Sequence, residues 1–144
     1  VPDSLAKGAV VKLYTCDKTS ATKVSDVTPG TLLNTYFSEY FGVALWRSTY
    51  AFVPKIGVPY YLEISGYIFV KATRTYIFKL QSFEPSEFYL NGKKMAEKTT
   101  YSEMVEREVE VELTKGFHKV LLKAYNPNRS TDREVSLAWN GGSS

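Results

Sequence analysis

The sequence predicts an all-β fold, an antiparallel two-sheet β-sandwich of jelly-roll or Greek-key type. Two observations lead to this prediction. Residue types that pack well on pleated sheets are abundant, with 11 Tyr and 8 Phe among 144 residues. Short apolar runs also alternate with polar residues between turn signals, at the regular spacing of a sandwich or barrel. No segment has the period of an amphipathic helix.

One domain is expected over residues 1–144, with a core over about residues 8–140. A chain of this length buries most of the surface that its unfolded form exposes. The N-terminal Val1-Pro2-Asp3-Ser4 has neither a starting Met nor a signal peptide, so we expect a piece of a longer or processed protein. No stretch approaches the ~20 apolar residues of a membrane span.

The first half of the chain predicts short strands separated by glycine and proline. Residues 8–14 form a β-branched and aromatic run, and residues 17–30 form a polar loop that Pro29-Gly30 closes. Further aromatic segments cover residues 32–41, 43–53 and 58–64.

Alternation is clearer from residue 65 onward. Tyr76, Phe78 and Leu80 alternate with Lys79 and Gln81, which predicts a strand with one buried face, although Ile77 breaks the pattern on the other face. Residues 88–90 predict another strand, and Asn91-Gly92 after it predicts a tight hairpin turn because both residues tolerate positive φ.

The strand at residues 105–113 has one parity that contains Val105, Val109, Val111 and Leu113, and the other consists of Glu106, Glu108, Glu110 and Glu112. A strand places these glutamates on one solvated face. Residues 117–125 follow after a turn at residues 114–116. The two strands pair as a hairpin if the turn is tight or bulged at Gly116, or else they form an arch between two sheets. The sequence leaves both open.

Few residues predict catalysis, and we do not expect an enzyme. His118 falls on the inner parity of its strand, which favours a buried, hydrogen-bonded structural histidine. Cys16 is the single cysteine and lacks the other ligands of a metal site, which favours an inert thiol. The net charge of +3 is dispersed rather than clustered, so nucleic acid is not an expected partner.

Loop carboxylates and exposed aromatic rings are the residues that meet sugars or hard cations. Glu84 and Glu87 are expected in a loop between strands. Most aromatic residues of a sandwich fill its core, and the candidates for a stacking face are Trp46, Tyr50, Tyr60, Tyr61 and Tyr67.

Several motifs resemble the protective-antigen-type β-sandwich found in flocculin-like adhesins, a bacterial toxin component and glycosidases. They are Gly66-Tyr67-Ile68, the Tyr-x-Phe strand at residues 76–80, residues 88–94 ending in an Asn-Gly turn, residues 112–118, and the terminal strand at residues 136–139. The similarity covers roughly residues 8–140 and is firm from about residue 60.

The resemblance implies a site in the loops at residues 82–87 and 126–132. Sugar-binding members hold calcium with two adjacent aspartates, whose positions here are Phe83 and Glu84, while Tyr125-Asn126 matches a second family loop. Because the Phe83 side chain offers no oxygen, we expect no cofactor, with calcium-dependent binding weakened or absent. Neighbouring side chains would compensate in part for the missing oxygen ligands if the two loops meet. The predicted ligand-binding residues are Glu84, Asn126, Asn128, Arg129 and Asp132.

Two functions follow as expectations. The first is a carbohydrate-binding or adhesion module of a larger extracellular or cell-surface protein, with a glycan as partner. The second is an assembly module that binds another surface protein, using edge strands of the aromatic N-terminal third. An exposed aromatic ring beside the polar loops favours the first function, and an exposed apolar patch away from them favours the second.

Overall fold

The computed structural model describes residues 8–20, 23–39, 41–44, 54–101, 103–130 and 134–140. The described residues form strands β1 to β10 and a single 3₁₀ turn at Val24–Asp26. The strands are Ala9–Cys16, Pro29–Ser38, Gly42–Ala44, Tyr60–Val70, Arg74–Ser82, Ser86–Leu90, Lys93–Lys98, Val105–Leu113, Gly116–Asn126 and Glu134–Trp139. Among these residues, no helix is long and apolar enough to cross a membrane.

The strands form two antiparallel sheets, which confirms the predicted two-sheet sandwich. A six-stranded sheet has the order β2-β1-β4-β9-β6-β7, and a four-stranded sheet has the order β3-β10-β5-β8. The apolar parities of both sheets meet in one core that includes Val11, Ile64, Phe78, Leu80 and Leu122. Each of these side chains is at most 1% exposed.

The predicted alternation of β5 and β8 is confirmed. Tyr76, Phe78 and Leu80 are buried, and the glutamates of β8 are exposed. The valines of β8 are only half-buried because this strand lies at the edge of the four-stranded sheet. Lys79 on β5 lies 3.9 Å from Glu106 and 4.0 Å from Glu108, as expected of a solvated, weakly paired surface.

The connection between β8 and β9 is an arch between the two sheets rather than a hairpin, because β8 pairs with β5 and β9 pairs with β4 and β6. Gly116 has φ +131°, in the region that favours glycine, and therefore allows the chain to change sheets at this point. The arch removes the need for glutamates and lysines of opposite parity to face one another.

The predicted Asn91-Gly92 turn is confirmed, with φ of 53° and 83° at the two residues. Asn91 also anchors the turn to β9, since its Oδ1 accepts a hydrogen bond from the Lys119 amide at 3.0 Å. Its Nδ2 donates to His118 Nδ1 at 2.9 Å, and His118 Nε2 donates to the Thr114 carbonyl at 2.7 Å. His118 is thus the buried, hydrogen-bonded structural residue that its parity predicts.

Two predicted segments on either side of Gly66 are one continuous strand, β4. A glycine is required there by close packing: a Cβ at Gly66 would lie 2.8 Å from the Gly8 carbonyl oxygen and 2.9 Å from Phe41 Cζ. Gly66 therefore marks a close approach of neighbouring groups, and the strand does not end at this residue.

The polar stretch at residues 17–30 is partly structured. Its 3₁₀ turn places Val24 and Val27 against Tyr61 and Tyr125, which form a second apolar cluster on the outer face of the six-stranded sheet. The Tyr125 hydroxyl donates to the Lys18 carbonyl at 2.6 Å and fixes the start of the stretch. Strand β2 begins at Pro29, inside the stretch predicted to be a loop.

Tyr36 should make the domain less stable at alkaline pH. Burial, and then the Glu84 charge, raise the pKa of Tyr36 to about 12, above the ~10 of an unfolded tyrosine. The stabilisation is therefore complete below about pH 10 and is lost as the pH rises toward about 12. In urea unfolding at roughly pH 8 and pH 11, Tyr36→Phe should lose less stability than the wild type. Tyr67→Phe serves as control, because it keeps the buried phenol of Tyr36. Equal losses of stability between the two pH values in Tyr36→Phe and in the wild type would contradict the account.

Candidate functional site

The loop after β5 lies at one end of the sandwich and is held by main-chain contacts. The Phe83 amide donates to the Glu134 carbonyl at 2.9 Å, and the Ser82 hydroxyl donates to the Glu84 carbonyl at 2.7 Å. The Pro85 carbonyl accepts from the Tyr125 amide at 3.0 Å, next to the second predicted loop. The two loops predicted to form a site are therefore neighbours.

Asn126 and Asn128 build the second loop from inside, and neither is exposed to solvent. Asn126 Oδ1 accepts from the Asn128 amide at 2.5 Å. Asn128 Nδ2 lies 2.6 Å from the Lys55 carbonyl and 2.7 Å from the Val58 carbonyl, and the Asn128 carbonyl accepts from the Gly57 amide at 2.7 Å. Asn128 thus fixes residues 54–58 against the loop after β9.

Asn128 has φ +58°, a left-handed conformation that asparagine adopts more readily than most residues. Within the described residues, Asn128 Oδ1 and Asn126 Nδ2 have no hydrogen-bond partner.

Arg129 is the exposed member of the predicted set. Its Nη2 donates to the Thr19 carbonyl at 2.7 Å, so this loop also contacts the polar stretch at residues 17–20. A guanidinium group has five N–H donors, which leaves others for a ligand. Asp132 lies outside the described residues.

Glu84 lies in the predicted loop between β5 and β6, whereas Glu87 lies within β6, and neither side chain is exposed. Glu84 is fully buried, and Glu87 is 3% exposed within β6. The expected loop position is therefore wrong for Glu87, because β6 begins at Ser86. Glu84, Asn126 and Asn128 therefore lie beneath the surface, and Arg129 lies on it.

The described residues do not fit a calcium site. They contain no group of three His, Cys, Asp or Glu side chains that could hold a metal. The Phe83 carbonyl accepts from the ammonium of Lys98 at 3.0 Å, so a positive charge already lies at the position of the family's aspartate pair. Lys98 is 2% exposed, and burial lowers its pKa.

The stacking candidates separate clearly by burial. Tyr60 is fully buried and Tyr61 is 3% exposed, whereas Tyr67 is 46% exposed. Trp46 and Tyr50 lie outside the described residues. Cys16 is half-buried, and burial raises the pKa of its thiol, as an inert cysteine requires.

A groove of about 420 Å³ on the outer face of the six-stranded sheet was missed by sequence reasoning. One wall is the stretch from Val24 to Pro29, and the floor is polar: Tyr61, Glu63, Glu87, Tyr89, Lys94 and Lys123. Glu87 accepts from the Tyr89 hydroxyl at 2.8 Å and pairs with Lys94 at 3.5 Å. Burial, and then this hydrogen bond, raise the pKa of Tyr89.

The fold and these sites define a class of protein, the two-sheet antiparallel β-sandwich with polar loops at one end. The sequence profile of the PA14 domain matches residues 54–142, more than half of the chain. The chain belongs to the PA14 domain family, as the resemblance implied. No curated protein matches by sequence.

Solved structures share the fold at low sequence identity. A β-glucosidase from Kluyveromyces marxianus matches 94% of this chain with a TM-score of 0.69 and 16% identity, and the chain spans only 16% of that enzyme. The PA14 domain of the MpAFP antifreeze protein matches 98% of this chain and 85% of its own, with a TM-score of 0.67 and 12% identity.

A third structure is the Epithelial Adhesin 9 A domain from Candida glabrata in complex with Galβ1-4GlcNAc. It matches 96% of this chain and 84% of its own, with a TM-score of 0.62 and 14% identity. At these identities the similarities establish the fold alone.

Proposed function

We propose that this domain is a non-catalytic carbohydrate-binding or adhesion module of a larger secreted or cell-surface protein. One observation carries the proposal: the domain corresponds over nearly its whole length to an adhesin domain that holds a disaccharide. The proposed partner is a glycan, and the proposed location is outside the cell.

The structure of the end loops supports two different roles for the predicted residues, contact with the ligand and positioning of the loops. Arg129 would donate hydrogen bonds to sugar hydroxyls, since it is exposed and has donors beyond the one that Thr19 accepts. The buried Asn126 and Asn128 would hold the loops in place, as would Glu84 in the neighbouring loop. Asp132, three residues beyond Arg129, is proposed as a further acceptor for hydroxyls.

A binding role without hydrolysis is supported by the residues that hydrolysis would need. Both ring nitrogens of His118 are engaged in structural hydrogen bonds, and the Cys16 thiol has a raised pKa. The small share of the β-glucosidase that this fold occupies agrees with an accessory module in a larger protein.

An assembly role is the second candidate, and strand β2 favours it. This strand lies at the edge of the six-stranded sheet, and Leu32, Leu33 and Phe37 on it are 47%, 48% and 83% exposed. Exposed apolar side chains on an unpaired edge are suited to strand addition by a protein partner.

The proposal predicts that the purified domain binds glycans on an array. The array is run in millimolar calcium and again with chelator, and we expect equal signals because the described residues lack a calcium site. Arg129→Ala should weaken binding about tenfold, as expected for a lost charged hydrogen bond. Arg107→Ala, at an exposed arginine of β8, is the matched control.

A blank array from a folded domain would contradict the proposal and favour the assembly module. Binding that the chelator abolishes would contradict the calcium-independent mechanism while leaving the function intact. Release of reducing sugar from a bound glycan would contradict the non-catalytic part.

A further inference from the structure

A row of charged side chains crosses the outer face of the six-stranded sheet. Lys12, Glu63, Lys123, Glu87 and Glu97 are successive cross-strand partners on β1, β4, β9, β6 and β7. With adjacent strands about 4.8 Å apart, the row is about 19 Å long. Lys94 lies 3.2 Å from Glu97 and brings the row to equal numbers of positive and negative charges.

Two central members of this row retain unused hydrogen-bonding capacity. Among the described residues, the Glu63 carboxylate accepts only from the Tyr61 hydroxyl, at 3.2 Å. Lys123 Nζ lies 5.2 Å from the centre of the Tyr89 ring and makes no hydrogen bond within the described part of the chain. An acceptor and a donor are therefore adjacent on the groove floor, on directly paired positions.

A second row, parallel to the first, is apolar and aromatic except for one serine. Its cross-strand partners are Phe37, Val10, Ser65, Leu121 and Tyr89. Phe37 is 83% exposed, and Val10, Leu121 and Tyr89 are partly exposed. Aromatic and aliphatic surface beside polar groups matches the two characters of a sugar ring, whose C–H face is apolar and whose edge bears hydroxyls.

The groove is also preformed. Its wall is fixed because Val24 and Val27 are buried against Tyr61 and Tyr125. Its volume of about 420 Å³ is within the usual range of small-ligand sites. A fixed site loses little conformational entropy when a ligand binds.

We propose that this groove binds a neutral glycan, with Glu63 accepting hydrogen bonds from hydroxyls and Lys123 donating to them. The balanced charge of the row favours a neutral ligand over a sulfated, sialylated or basic one. This proposal rests on the proposed function, and it adds a ligand site on the sheet face, away from the end loops.

The test is an array of neutral, sialylated and sulfated oligosaccharides probed with the wild-type domain and two double variants. Glu63→Gln with Lys123→Gln removes the two charges assigned to the glycan while nearly keeping side-chain volume, and it leaves Glu87 and Lys94 in place. Lys79→Gln with Glu108→Gln removes a cross-strand pair of the same type from the outer face of the other sheet. Circular dichroism and thermal unfolding check that both variants are folded.

We expect the groove variant to bind neutral glycans about tenfold more weakly or worse, and the control variant to bind as the wild type does. If the groove variant binds unchanged while the wild type binds glycans, the groove is not the site, although the proposed function stands. Preference for sulfated or sialylated glycans would contradict the neutral ligand. A wild type that binds no glycan overturns both proposals.

If the groove variant fails to fold, the site is located by an NMR titration of the wild type. Amide resonances of β4, β9 and β6 should move when the neutral glycan with the strongest array signal is added to ¹⁵N-labelled protein. Shifts confined to residues 54–58 and 126–130 would overturn the groove and favour the end loops.

Discussion

Replacing Phe78 with alanine is expected to lower the free energy of unfolding by about 3–5 kcal/mol. Phe78 is 1% exposed and lies between two aromatic rings of the core. Its centroid is 5.7 Å from that of Trp139, with the rings nearly parallel at 10°, and 5.5 Å from that of Phe88. The substitution would remove buried area and ring contacts from both sheets at once.

Urea denaturation measures this effect, and Lys79→Ala is the matched control on the same strand. Lys79 points to solvent and makes only long ion pairs, so its loss should change the unfolding free energy by less than about 0.5 kcal/mol. Similar values for the two variants would mean that the apolar parity of β5 does not face a shared core.

Replacing Asn128 with alanine is expected to lower the free energy of unfolding by about 2–3 kcal/mol. The change removes the donor that the Lys55 and Val58 carbonyls accept from, and it places alanine at φ +58°. Residues 54–58 would then separate from the loop after β9, so glycan binding through Arg129 should weaken as well.

Asn128→Gly separates the effect of the lost hydrogen bonds from that of the positive φ. Glycine also lacks the amide but adopts positive φ without steric cost, so it should recover about 1 kcal/mol relative to alanine. The exposed Asn34 on β2 provides a control, since Asn34→Ala should change stability little. Equal stability of Asn128→Ala and wild type in the same urea series would contradict the structural role of Asn128.

The strands with clean alternation could be predicted from local sequence. Phe78 and the glutamates of β8 fall on their expected faces, and the Asn91-Gly92 turn forms, because each depends only on parity or on local φ. The need for glycine at position 66 could not be predicted from local sequence. Glycine is needed there because Gly8 and Phe41, which are distant in sequence, approach closely.

The sites were harder to predict for the same reason. The neighbouring end loops followed from the family resemblance, but the burial of Glu84 and Asn128 depends on contacts with residues far along the chain. The groove needs the strand order β1-β4-β9-β6, which brings Glu63 and Lys123 side by side although 60 positions separate them. No local pattern encodes that order.

The most direct test of the central claim, that this PA14 domain binds carbohydrate, is an NMR titration of the ¹⁵N-labelled domain. The probe is a mixture of neutral monosaccharides and disaccharides at millimolar concentration, which also detects weak binding. We predict saturable amide shifts at the end loops, on the outer face of the six-stranded sheet, or at both. A folded domain whose spectrum does not change at any concentration would contradict the claim and leave assembly with another protein as the function to pursue.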